Sequence, residues 1–126
     1  MIQILPLQEK TKELELLQSH EIKGDRVLLM EDGSKEIGWV SLKVEDENLY
    51  IIKIELNTKC DFENLDMEQS FYVDTLMRSA ASYGEVHGAR KIYTVDSLYN
   101  SFLIKKGFQI VDGVAFTPMS TIVHYE

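Results

Sequence analysis

The chain has 126 residues, the length of a single domain spanning 1–126, and at 44% hydrophobic with 10% aromatic residues it is not a disordered composition. Thirteen basic residues against 21 acidic ones leave a net charge of −8, which argues against non-specific binding to nucleic acid or to an anionic membrane. One cysteine, Cys60, excludes an intramolecular disulfide, and the run "VLLM" is far short of the about 20 apolar residues that span a bilayer.

The opening "MIQILPLQEKTKELELL" has no basic region ahead of an apolar run, so it does not read as a secretory signal and a cytoplasmic location is expected. "IQILPL" reads as a first strand, kept short by Pro6. Residues 8–22 follow as a short charged helix with Leu14 and Leu17 on one side. "RVLLMEDGSKEIGWVSLKV" is a hairpin, because Asp32-Gly33 between two apolar runs is a strong turn signal. "NLYIIKIEL" is the next strand. Strict alternation puts Tyr50, Ile52, Ile54 and Leu56 on one face and Ile51, Lys53 and Glu55 on the other.

A long helix begins at "DMEQ", where Asp66 can cap it and Gln69 stands three residues on. Val73, Leu76, Met77, Ala80 and Gly84 then repeat as a packed stripe, and Gly88 is suited to terminate it. "RKIYTV" is a short strand. "DSLYNSFLIKKGF" is a second helix, capped by Asp96 or Ser97, with Lys105 and Lys106 at its negative end and Gly107 closing it. "FQIVDGVAF" and "STIVHYE" are expected as the last two strands. The order β-α-β-β-β-α-β-α-β-β describes an α+β fold: a mixed, mostly antiparallel sheet with packed helices.

The candidate chemistry is sparse. His20, His87 and His124 are scattered, with no ligand spacing, so no metal site is expected. Cys60 in "TKCDF" lacks the base or helix terminus that would activate a thiol. The start of the long helix is a natural anion site, with unpaired amides and a positive dipole end. Here it carries Asp66, Glu68 and Asp74, with no glycine and no basic residue among its first positions.

Residues 75–108, "TLMRSAASYGEVHGARKIYTVDSLYNSFLIKKGF", resemble the GNAT superfamily of N-acetyltransferases, as a divergent member. "GARKIYTV" and "IKKGFQIV" carry the resemblance; the first half matches in element order alone. The resemblance implies acetyl-coenzyme A as cofactor and acyl transfer to a small-molecule or peptide amine. It implies a cofactor loop ahead of the long helix, and the matching positions are Gln69, Ser70, Phe71, Tyr72 and Val73. Phe71 and Val73 stand where glycine or a small residue is expected, and Glu68 where a basic one is. It implies Glu55 on the fourth strand as the base that helps deprotonate the amine; the ordinary alternative is an ion pair with Lys53. The family's tyrosine position in the second helix holds Leu103, so Tyr99, one turn earlier, is the candidate acid for the departing thiolate.

Two readings follow. One is an acyl-coenzyme A-dependent N-acetyltransferase with a strongly diverged cofactor loop. The other is a non-catalytic binding or assembly module that has lost the cofactor, toward which bulk at Phe71 and Val73 and the acidic helix mouth weigh. The side chains at 71–73 discriminate, since the first reading requires that they leave the cleft open. "STIVHYE" pairs either within the chain or, as an exposed edge, with a second copy in a homodimer.

Overall fold

The computed structural model describes residues 2–6, 26–33, 35–59, 61–95 and 97–122. The expected helix at 8–22 and the residues Cys60, His20, His124 and Asp96 lie outside them. Strands β1 (Ile2–Pro6), β2 (Arg26–Asp32), β3 (Lys35–Glu45) and β4 (Asn48–Leu56) form an antiparallel run, with tight turns between β2 and β3 and between β3 and β4. Helix α1 (Met67–Val86) crosses over to β5 (Lys91–Thr94), which pairs with β4 in parallel. A 3₁₀ turn (Ser97–Tyr99) leads into helix α2 (Asn100–Lys105), then β6 (Gln109–Val111) and β7 (Val114–Pro118). The strand order is β1-β2-β3-β4-β5-β7-β6, with every pair antiparallel except β4–β5.

Both helices bury their apolar sides against one face of this sheet. Val73, Leu76, Met77 and Ala80 of α1 and Phe102 and Leu103 of α2 join one core with Leu42, Leu49, Ile51, Ile54 and Ile92. Each such side chain contributes about 1.5–3 kcal/mol by leaving water. Gly84 marks the closest approach of helix to sheet, since a Cβ there would lie 3.0 Å from that of Leu49. Asp74 ties the helices together, accepting from Arg78 at 2.9 Å along α1 and facing Lys106 of α2 at 3.4 Å. On the opposite face, Tyr50, Tyr93 and Phe116 stack in register across β4, β5 and β7, with centroids 5.4 and 6.0 Å apart.

Three expectations are corrected. "FQIVDGVAF" is two strands, β6 and β7, because Asp112 and Gly113 both take positive φ (52° and 80°) and reverse the chain. The "STIVHYE" strand is not formed where it is described: Met119–Thr121 is a 3₁₀ turn, and residues 123–126 lie outside the described part. The second helix starts as the 3₁₀ turn and becomes α-helical only at Asn100.

The alternation read for β4 also fails, for a local reason. Ser41 pairs with Lys53 but Leu42 pairs with Ile51, so Ile52 is an extra residue with no partner on β3. Such a bulge shifts the phase of every later side chain. Leu49 and Ile51 are therefore buried under the helices, and beyond the bulge Ile54 and Leu56 take over that role. Lys53 and Glu55 share the opposite face with Tyr50, following the register Lys43–Tyr50, Ser41–Lys53 and Trp39–Glu55.

Candidate active site

The bulge coincides with the place where β4 and β5 part. Their parallel pairing covers 48–51 of β4, and the last bond across it runs from the Val95 amide to the Ile51 carbonyl (2.9 Å). Beyond this point β5 turns into the 3₁₀ segment, while β4 continues for five residues paired with β3 alone among the described elements. Among the described elements its other edge is open, and an open edge presents backbone donors and acceptors to any extended ligand carrying amides.

A cleft of about 360 Å³ lies along that edge, walled by Lys53, Ile54, Glu55, Leu56, Thr58, Lys59, Phe62, Leu98 and Tyr99. Glu55 and Tyr99, the two expected catalytic residues, thus reach one cavity from separate parts of the chain. Glu55 is half-buried beside the buried indole of Trp39. Tyr99 is almost wholly buried and meets Phe62 edge-on at 5.1 Å, which fixes its ring. The ordinary alternative for Glu55 fails, because Lys53 makes no ion pair or hydrogen bond among the described residues.

The start of α1 holds an anion, but its own. The Asp66 carboxylate accepts from the Gln69 amide at 2.7 Å, and the Gln69 side chain accepts from the Asp66 amide at 3.3 Å. The Gln69 amide group also donates to the Lys59 carbonyl (2.9 Å), pinning the loop from β4, and the Ser70 amide makes the first helical bond, to the Asp66 carbonyl. Tyr72 registers how acidic this corner is: burial raises its pKa, and the carboxylates of Glu68, Asp32 and Asp66 raise it further.

The expected cofactor residues are therefore dispersed. Gln69 is committed to the capping box, Val73 lies in the core, Phe71 points outward at 54% exposure, and Tyr72 packs at the core's edge. Of the five, Ser70 alone lines a cleft among the described ones. Equally, none of the side chains at 71–73 fills the cleft beside Glu55.

Ser70 belongs to a second cleft of similar size, about 360 Å³, on the other side of Phe62. Its walls include Asn64, Phe102, Lys105 and Lys106. Lys105 and Lys106 had only suited the dipole of α2 in the sequence; in the fold they line a cavity. The cation that the helix start lacks is thus supplied by the other helix. Lys53 and Lys59 were missed likewise, and the side of β4 from which Lys53 projects is set only once the bulge has fixed the register. The edge of β4 offers backbone donors and acceptors, and the second cleft offers lysine ammonium groups beside the Ser70 hydroxyl. Among the described residues no group of three potential metal ligands forms, and no helix is long and apolar enough to cross a membrane.

Neither a protein-family model nor a curated protein sequence matches this chain. Solved structures do match. The chain superposes on the ribosomal-protein-S18-alanine N-acetyltransferase of Escherichia coli with a TM-score of 0.64, 10% identity, and 94% of each chain covered. An acetyltransferase of the GNAT family from Staphylococcus aureus gives 0.61 at 14% identity, over 94% of this chain and 99% of that one. N-acetylglutamate synthase from Neisseria gonorrhoeae, solved with coenzyme A and N-acetyl-glutamate, gives 0.65 at 10% identity; this chain spans 35% of it. Strand order, the parted β4–β5 pair and these superpositions agree: the chain has the α+β fold of the GNAT acetyltransferases, in a divergent sequence.

Proposed function

We propose that the protein is an acyl-coenzyme A-dependent N-acetyltransferase. The observation that carries this reading is that Glu55 and Tyr99 wall one cleft along the open edge of β4. Acetyl-coenzyme A supplies an activated acyl thioester. The edge of β4 orients its arm, and Lys105 and Lys106 beside Ser70 attract its phosphates. Glu55 takes a proton from the acceptor amine, whose nitrogen forms the new bond to the acyl carbon as the carbon–sulfur bond breaks. The Tyr99 hydroxyl donates a proton to the departing sulfur. Holding amine and thioester together supplies much of the rate.

The competing reading, a module that has lost the cofactor, is favoured by one observation: the capping box occupies the amide of Gln69 that would otherwise face a phosphate. Calorimetry with acetyl-coenzyme A at low salt separates the two, with coenzyme A and a free nucleotide as controls. The enzyme reading expects a Kd of about 100 μM or tighter, roughly −5.5 kcal/mol. No heat and no competition at millimolar ligand would overturn it in favour of the module.

A further inference from the structure

We infer that the acceptor is a small α-amino acid with an apolar side chain, its carboxylate held by Lys53 while its amine faces Glu55; this rests on the acetyltransferase reading. Lys53 and Glu55 are two residues apart beyond the bulge, so they lean from the same face of β4, with Cα atoms about 6.6 Å apart at the usual strand rise. Both reach the same cleft. Lys53 is half-buried and pairs with no carboxylate among the described residues, including its neighbour Glu55. An ammonium on the wall of a cavity with no carboxylate beside it among the described residues is available to the carboxylate of a ligand.

Lys59 adds a second positive charge at the mouth. The cleft thus presents two ammonium groups and one carboxylate, on a chain whose net charge is −8. This pattern complements a zwitterion and repels an oligoamine, for which a wholly acidic mouth would be the better match. Leu98, 47% exposed on the same wall, offers apolar contact to a side chain. The volume suits one small molecule beside the reacting thioester, not a folded peptide.

The test uses the full chain with L-leucine, L-leucinamide and spermidine. Thiol release reports transfer with acetyl-coenzyme A present, and NMR titration of the protein alone reports binding without it. Expected is a kcat/KM at least about tenfold higher for leucine than for leucinamide, and lowest for spermidine. Lys53→Met, which keeps the apolar stem, should bring the ratio of leucine to leucinamide close to one. In the titration leucine, but not leucinamide, should shift the resonances of Lys53 and Glu55, and Lys53→Met should abolish that shift. Equal use of leucine and leucinamide, preference for spermidine, or absence of leucine-induced shifts at millimolar concentration would each overturn the inference. Because the titration needs no cofactor, it decides the inference even where coenzyme A fails to bind, which instead sinks the acetyltransferase reading.

Discussion

The two halves of β4 have the same kind of sequence and opposite fates. In 48–51 the strand is paired on both edges, and Leu49 and Ile51 are fully buried. In 52–56 one edge is open, and Lys53 and Glu55 reach a cleft. One extra residue, Ile52, separates them. A sheet that must be continuous to be stable and interrupted to bind can be both only if the interruption is local, and the bulge confines it to half a strand. The two helix ends that flank the open half differ in the same way. The start of α1 caps its own Gln69 amide with Asp66, while at the end of α2 Lys105 and the Asp74-paired Lys106 line a cavity.

The comparison breaks most sharply at Glu55. Glu55→Gln should slow acetyl transfer by about 10²–10⁴-fold, as loss of a general base does. Its melting temperature should stay within a few degrees of the parent, because Glu55 is not among the core side chains and the substitution keeps its size. A variant that melts much earlier would show that this half of β4 is structural after all. Leu49→Ala, in the closed half, should do the reverse: a loss of about 2–5 kcal/mol in urea unfolding, from the lost contacts and the cavity left under α1. If it instead cost under about 1 kcal/mol, the division of β4 into a structural and a functional half would fail.

For the helix ends, replacing both Lys105 and Lys106 with Glu should weaken acetyl-coenzyme A binding at least about tenfold at low salt. The deficit should shrink as salt screens the charges. An unchanged affinity would remove α2 as the phosphate anchor. The smallest effect is expected at Asp66. Asp66→Ala removes the cap and should cost about 1 kcal/mol of stability without weakening cofactor binding. Weaker binding in that variant would return the anchor to the start of α1.

Several elements were legible because their causes are local. The stripe from Val73 to Gly84 obeys helical periodicity and is the buried side of α1. The Asp66–Gln69 capping box forms as the spacing predicts. Asp32-Gly33 turns the β2–β3 hairpin, with Gly33 at φ 62°. The same dipeptide at Asp112-Gly113 was overlooked inside "FQIVDGVAF", although its signal is equally local. Glu55, Tyr99 and the five positions at 69–73 were legible as candidates through the family resemblance, but not which of them share a cleft. The structure commits the Gln69 amide to the Asp66 cap, buries Val73 in the core and leaves Phe71 exposed, which spacing along the chain does not decide.

The sequence by itself determined the periodicities, the caps and most turns, because backbone geometry and neighbouring side chains suffice to set them. Only the tertiary structure decided the phase of β4, the open edge beside β5 and the convergence of Glu55, Lys53 and Tyr99. A bulge is defined by which residue lacks a partner on another strand, and a cleft by elements distant in the chain. Neither can be read from any one segment, since the interactions that fix them lie between segments.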